Sequence, residues 1–71
     1  MDLNTLLYRL HVKYLGAVWD DITFKHMSED VKTVFPQIRR IEFDRTRMYP
    51  TVLDIEFNTE EDKFWFYLKN K

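Results

Sequence analysis

Few residues of this 71-residue sequence have types and spacings suited to chemistry. His11 and His26 are its two histidines, and neither belongs to the H-x-x-x-H or H-E-x-x-H spacing that places two metal ligands on one helix face. Ser28, the single serine, fits a helix cap better than a nucleophile, and the carboxylate pairs at 20–21 and 60–62 fall at predicted turns or helix starts. One glycine cannot build a phosphate-binding loop. We therefore predict no catalytic residue, no metal site, no cofactor and no enzymatic activity.

A basic cluster is the stronger candidate for a binding site. Arg39 and Arg40 begin a predicted strand, Arg45 and Arg47 end it, and Tyr49 follows in the turn. Arginines beside an aromatic ring can clamp phosphate, stack on a base or pair with acids of a protein partner. The alternative is neutralisation across the hairpin by Glu42, Asp44, Asp54 and Glu56. Arg45, Arg47 and Tyr49 have fewer acids nearby and are the preferred binding residues of this cluster.

A second candidate surface depends on which strands are neighbours. Arg9, His11 and Lys13 alternate along the first predicted strand and point to one side. If that strand borders a strand at 63–69, Trp65 and Tyr67 lie among these cations, as on surfaces that bind single-stranded nucleic acid or form protein hot spots. If it borders the strand at 51–57 instead, acids pair with the cations and the surface is structural.

Alternating hydrophobicity predicts the first strand over residues 6 to 14. Its apolar side would carry Leu6, Tyr8, Leu10, Val12 and Tyr14. Gly16, the only glycine, predicts a bulge or bend after this strand.

The segment from Asp20 to Phe35 has apolar residues at helical spacing and predicts an amphipathic helix. Its start is ambiguous, because Asp20 could cap a long helix, whereas Ser28 could cap a short one and leave residues 22 to 26 as a strand. Its end is clearer, since Pro36 disfavours helix at Phe35 and cannot donate the next backbone hydrogen bond.

Two further alternating segments predict a β-hairpin. After Pro36, Ile41 and Phe43 alternate with charged residues, and the segment 48–50, Met-Tyr-Pro, turns the chain. Residues 51 to 57 then place Leu53, Ile55 and Phe57 on one side and Val52, Asp54 and Glu56 on the other.

The run F-W-F-Y-L at residues 64 to 68 admits two structures. A strand over 63–69 sends Phe64, Phe66 and Leu68 to one face and Trp65 and Tyr67 to the other, and aromatic residues favour strands. We prefer this interpretation because a helix leaves two of five consecutive residues outside its buried face.

The helical alternative has its own signals. Asn58 or Thr59 could cap the helix, three acids would occupy its first turn and lysines would lie near its end, which is the arrangement the helix dipole favours.

Together these segments predict a single α+β domain over residues 1–71. Its mostly antiparallel sheet of four or five strands would carry one amphipathic helix, ending near Phe35, on one face. The alternative is a ferredoxin-like β-α-β-β-α arrangement with a C-terminal helix.

Composition bounds the class of protein. The chain is 45% hydrophobic, 32% charged and 17% aromatic, as in folded domains, and its net charge of −1 disfavours non-specific binding to nucleic acid. It has no cysteine, no signal-peptide pattern and no apolar run of membrane-spanning length, so we expect a cytoplasmic protein that does not cross a membrane.

The segment S-E-D-V-K-T-V-F, followed by strands and then I-E-F-N-T-E-E-D, resembles parts of the RNA-recognition motif in its order of helix and strand. Val52 and Asp54 occupy the positions of that family's stacking aromatics, so no binding residue is carried over and no family is assigned.

The functional prediction is a small non-enzymatic protein-interaction module of regulator or inhibitor type. It would bind a protein partner, or itself as a homodimer, through exposed sheet and aromatic surface. The alternative is a protein that binds RNA or single-stranded nucleic acid through the basic hairpin and Trp65, Tyr67 and Lys13.

Overall fold

The computed structural model describes residues 1–69, and within them the chain is an α+β fold of three helices and one two-stranded antiparallel sheet. The elements are α1 (Leu3–Lys13), α2 (Asp21–Val34), β1 (Ile38–Phe43), β2 (Val52–Phe57) and α3 (Glu60–Lys69). The predicted sheet of four or five strands with a single helix is therefore wrong. The ferredoxin-like alternative fails at its first strand, although its C-terminal helix is present.

The first element is helix α1, not the strand predicted over residues 6 to 14. Asp2 caps it, because its carboxylate accepts a hydrogen bond of 2.7 Å from the backbone N–H of Thr5. Leu6, Leu7 and Leu10 are buried, at the spacing of a helix face.

The strand prediction failed here because the same leucines satisfy two periodicities. Leu6 and Leu10 belong both to an alternating series and to an i, i+4 pair, whereas Tyr8 and Val12, which only the alternation needs, are exposed. Gly16 then adopts a φ of 84°, which other residues rarely adopt, and turns the chain towards α2.

Helix α2 is the long helix of the two predicted alternatives. The carboxylate of Asp20 accepts a hydrogen bond of 3.0 Å from the N–H of Thr23, so Asp20 is the N-cap. Ser28 lies inside the helix and donates its hydroxyl to the carbonyl of Phe24, so the strand at 22–26 is wrong. The predicted end is confirmed, with Phe35 as the C-cap before Pro36.

The predicted hairpin is confirmed, with β1 antiparallel to β2, but two bulges change its faces. Arg39 is an extra residue in β1 and Leu53 an extra residue in β2, so that Val52 pairs with Phe43. Val52 therefore packs against the core and Leu53 is exposed, the reverse of the predicted alternation.

A single apolar cluster joins the elements. Helix α2 packs on β1, α3 packs on β2, and α1 adds its leucines. The buried residues are Leu6, Leu7, Leu10, Phe24, Met27, Val31, Phe35, Ile38, Ile41, Phe43 and Phe66. Helix α3 thus contributes one buried residue, which leaves most of its apolar side chains outside the core.

Candidate interaction surface

The run F-W-F-Y-L lies in helix α3, so the preferred strand over 63–69 is wrong. Thr59 caps the helix, because its hydroxyl accepts a hydrogen bond of 3.0 Å from the N–H of Asp62. Three acids occupy the first turn and Lys69 the last, so charges of both signs are placed where the helix dipole favours them. These end signals outweigh the strand preference of the aromatic residues.

Phe66 attaches α3 to the rest of the domain. Its side chain is 2% exposed. Its ring meets Phe35 edge-on at 5.3 Å between centroids and Phe57 at 5.1 Å. These contacts fix which face of the helix points inward.

The remaining large residues of the run form an exposed surface, which we call the outer face of α3. Successive residues of a helix are about 100° apart, so Phe64 and Leu68 point almost directly away from Phe66, with Trp65 and Tyr67 on the two flanks. Their exposed fractions are 62% for Phe64, 50% for Trp65, 50% for Tyr67 and 46% for Leu68. With roughly 150–250 Å² per large side chain, the outer face exposes about 400 Å², the size of a functional patch.

Two depressions border the outer face. Tyr67 leans on Phe57, with 5.8 Å between ring centroids, and lines a shallow groove of about 410 Å³ with Phe64 and Leu68. Trp65 borders a larger open cleft of about 710 Å³ beside the C-terminal end of α2. An aromatic flank at each side gives a partner two places to insert a side chain.

The charged side chains of α3 are also available to a partner. Within residues 1–69, neither lysine of α3 and none of its three acids forms an ion pair. Glu60 and Glu61 lie at the N-terminal end of the outer face, whereas Asp62 and Lys69 line the cleft beside the end of α2. A partner on the outer face could therefore pair with the two glutamates.

The predicted basic residues of the hairpin tip, in contrast, already have partners inside the chain. Arg45 pairs with Asp21 and lies over the ring of Phe24, 5.6 Å from its centroid. Arg47 lies 3.6 Å from Asp44, whose carboxylate accepts hydrogen bonds from Thr46. Those bonds, with Arg47 a smaller influence, lower the pKa of Asp44.

The arginines of β1 are neutralised across the sheet, as the structural alternative predicted. Arg39 lies 3.3 Å from Glu56, and Arg40 lies 3.4 Å from Glu42 and 3.9 Å from Glu56. All four side chains are at least two-fifths exposed, so each pair contributes little to stability.

The predicted residues of the first segment lie on α1. The ring of His11 contacts that of Tyr49, with centroids 4.9 Å apart and planes tilted by 40°, and so connects α1 to the hairpin loop. Lys13 lies 2.8 Å from Asp30, and the hydroxyl of Tyr14 donates to the same carboxylate at 3.0 Å. The hydrogen bond to Asp30 raises the pKa of Lys13. Burial, followed by the hydrogen bond from its own hydroxyl to Asp30, raises the pKa of Tyr14.

The structure does not bring the basic and aromatic candidates together. Arg45 lies beside Asp21 at the start of α2, and Trp65 shares a cleft with Val34 at its end, about 20 Å away at 1.5 Å per residue. Arg9 is exposed on α1 and has no ion pair among residues 1–69. The predicted pairing of its segment with a strand that carries Trp65 does not occur, because both segments are helices.

Sequence reasoning missed Phe64 and Leu68 as surface residues, because the strand interpretation placed them in the core with Phe66. Their i, i+4 spacing after a capped acidic turn was the available signal.

Comparison with known proteins gives no match: no family model, no curated protein and no solved structure is significantly similar to this chain. Among residues 1–69, no three histidine, aspartate or glutamate side chains are grouped to hold a metal ion. None of the helices in this part of the chain has the length and apolar character needed to cross a bilayer.

Proposed function

We propose that this protein is a non-enzymatic interaction module, of regulator or inhibitor type, that binds a protein partner or a second copy of itself through the outer face of α3. The observation that carries the proposal is the exposure of Phe64 and Leu68 on the side of the helix opposite Phe66, together with that of Trp65 and Tyr67 on its flanks. Because the chain lacks cysteine, we place the module in the reducing environment of the cytoplasm.

Two physical arguments support this function. The exposed parts of the aromatic rings on α3 add nothing to the chain's own core and favour aggregation, so a sequence gains from them when another surface covers them. Tryptophan and tyrosine are also enriched at the energetic centres of protein interfaces, because they bury large rigid surfaces at little entropic cost.

The alternative, binding of single-stranded nucleic acid, has less support. It needs cations free to meet phosphate beside aromatic rings free to stack. Arg45 and Arg47 pair with acids of their own chain, and Arg45 and Trp65 lie beside opposite ends of α2.

Capture from nuclease-treated extracts of the source cells, with three immobilised forms of the chain, tests the proposal. The first is wild type, the second is Phe64→Ser/Leu68→Ser, and the third is the control Val18→Ser/Ile22→Ser. Val18, just before α2, and Ile22, in its first turn, are exposed apolar residues at the end of α2 away from the cleft that Trp65 borders. All four positions are exposed, and circular dichroism verifies that each variant is folded.

We expect a protein, or the chain itself, to be retained by the wild type and the control but lost from the α3 variant. Retention of the same proteins by all three forms, or retention that nuclease abolishes, contradicts the proposal. Absence of any retained protein together with absence of self-association contradicts it as well. Quenching of tryptophan fluorescence by an oligonucleotide, lost in Arg45→Ala/Arg47→Ala, would establish the nucleic-acid alternative.

A further inference from the structure

We infer that the partner of the outer face of α3 is a different protein that presents a basic amphipathic helix, whose apolar stripe is followed one turn later by lysine or arginine. This inference rests on the proposed function and names the chemical class of the partner.

The order of residues along the outer face carries the argument. Glu60 and Glu61 lie one turn before Phe64 and within about 60° of it around the helix, so they belong to the same face. Phe64, Tyr67 and Leu68 occupy the rest of this face with exposed apolar surface. Over about 12 Å, the outer face therefore changes from acidic at its N-terminal end to apolar at its C-terminal end.

Both glutamates are available to a partner. They are exposed, and neither forms an ion pair within residues 1–69. Lys63 lies on the flank that carries Tyr67 and adds one base, so the face keeps an excess of acid. Basic residues of a partner would meet unpaired carboxylates directly beside the apolar groove.

The α3 helix of a second copy does not complement this pattern. Parallel packing places glutamates against glutamates. Antiparallel packing about Phe64 lays Glu60 against Leu68 and Glu61 against Tyr67, which buries carboxylates against apolar side chains. An anionic membrane surface repels the same two acids.

The basic helix of a second copy, α1, is also a poor complement. Lys13 already pairs with Asp30 at 2.8 Å, which leaves Arg9 as the base of α1 to meet two glutamates. The complementary surface, both apolar and basic, therefore belongs to another protein.

A helix fits the outer face better than an extended segment. The backbone groups of α3 bond within the helix, so this face offers side chains and no strand edge for a β-strand to join. Phe64 and Leu68 are four residues apart and line the shallow groove with Tyr67. A facing helix with apolar residues at the same spacing interlocks with them, and a base one turn further on reaches Glu60 and Glu61.

The area of the face sets the expected strength. The outer face of about 400 Å² and an equal area of the partner bury roughly 800 Å², less than the 1,200–2,000 Å² of a stable interface. We therefore expect a reversible complex with a dissociation constant on the order of 10 to 100 μM.

A designed peptide tests the class of partner. The probe is a fluorescein-labelled, lactam-bridged helix of about 15 residues, with leucines four apart and lysines in its last turn, where the helix dipole favours them. The control peptide carries glutamates in place of those lysines, and circular dichroism verifies that both are helical. In fluorescence anisotropy, the wild-type chain should bind the lysine peptide in the range given above and the glutamate peptide roughly ten-fold more weakly. Equal binding of the two peptides, or no binding of the lysine peptide up to about 1 mM, overturns the inference.

Charge changes on the chain locate the contact. Glu60→Lys/Glu61→Lys should bind the glutamate peptide more tightly than the lysine peptide, and Glu60→Gln/Glu61→Gln should bind both within about three-fold. The matched control Glu29→Lys/Asp54→Lys reverses two exposed acids of α2 and β2 that also lack an ion pair within residues 1–69. It should keep the wild-type preference. Loss of the preference in this control, or its persistence in both α3 variants, contradicts a contact at the two glutamates.

Failure of this inference is distinguishable from failure of the proposed function. Capture of a protein that Phe64→Ser/Leu68→Ser abolishes but Glu60→Gln/Glu61→Gln leaves undiminished overturns the basic helix and leaves the proposed function standing. A dimer that Phe64→Ser/Leu68→Ser disperses has the same consequence, because a second copy then occupies the outer face. Capture and self-association that Phe64→Ser/Leu68→Ser leaves intact refute both.

Discussion

Two phenylalanines of α3, two positions apart, should lose very different amounts of stability on the same substitution. Phe66 buries almost its whole side chain, roughly 150–200 Å², between Phe35 and Phe57. At about 25 cal/mol per Å² this corresponds to roughly 4 kcal/mol, within the range of about 3–5 kcal/mol typical of Phe→Ala in cores. Phe64 is 62% exposed, so the same arithmetic on its buried remainder, less the helix propensity that alanine gains, gives a cost of about 1 kcal/mol for Phe64→Ala.

Urea unfolding followed by circular dichroism measures both values. A domain of this length has a free energy of unfolding of roughly 4–10 kcal/mol, so Phe66→Ala could unfold it entirely. Phe66→Leu, with an expected loss of about 1–2 kcal/mol, keeps the comparison measurable. Work at about 1 μM keeps dimerisation from adding to the stability of the wild type. Equal losses for Phe64→Ala and Phe66→Ala would refute the orientation of α3, because that is the result expected of a strand with both rings in the core.

Three further predictions concern helices α1 and α2 and the turn between them. The hydrogen bond from the N–H of Thr23 lowers the pKa of Asp20, so the stability from this cap is complete above the unfolded pKa of about 4 and is lost as the pH falls through the lower folded value. Asp20→Asn should therefore reduce the loss of stability between pH 7 and pH 2, measured as urea midpoints. The same loss in Asp20→Asn as in the wild type contradicts the cap. Because the pKa of Tyr14 is raised, its stabilising contribution should hold below pH 10 and decline as the pH rises further. Tyr14→Phe should cost about 1 kcal/mol and remove one tyrosine step above pH 10 from an absorbance titration, and a titration that keeps this step is the opposing result. Gly16→Ala should cost about 1 kcal/mol from backbone strain alone, since a Cβ there meets nothing within 4 Å, and Gly16→Asn should cost less. Equal stability of Gly16→Ala and wild type in thermal unfolding would contradict the positive φ of this turn.

The elements predictable from the sequence were those whose end signals agreed with their periodicity. Helix α2 had a capping aspartate at Asp20 and a stop at Pro36 on either side of one apolar stripe. The hairpin had two alternating segments around a turn, although the bulge at Leu53 exchanged the faces of Val52 and its neighbour. A bulge is set by the pairing of two strands and leaves no mark in the local pattern.

The segments that failed were those in which one residue type served two patterns. In α1, Leu6 and Leu10 fit a strand and a helix equally, and the cap from Asp2 decided between them. In α3, the assumption that large aromatics must be buried favoured a strand, whereas the structure buries Phe66 and exposes its neighbours. The residues of the candidate interface were predicted in part, since Trp65 and Tyr67 belong to it, while Phe64 and Leu68 were assigned to the core.

The accessibility of Trp65 tests most directly whether the outer face of α3 is a binding surface. In the variant Trp19→Phe, Trp65 is the only tryptophan, and acrylamide quenching of its fluorescence can be compared between the chain at about 1 μM and the associated form, either at about 1 mM or bound to a captured partner. We predict efficient quenching in the dilute chain, because Trp65 is half-exposed, and clear protection in the associated form. Equal quenching in both forms, or a Trp65 already shielded at 1 μM, would contradict the proposal that association covers this face.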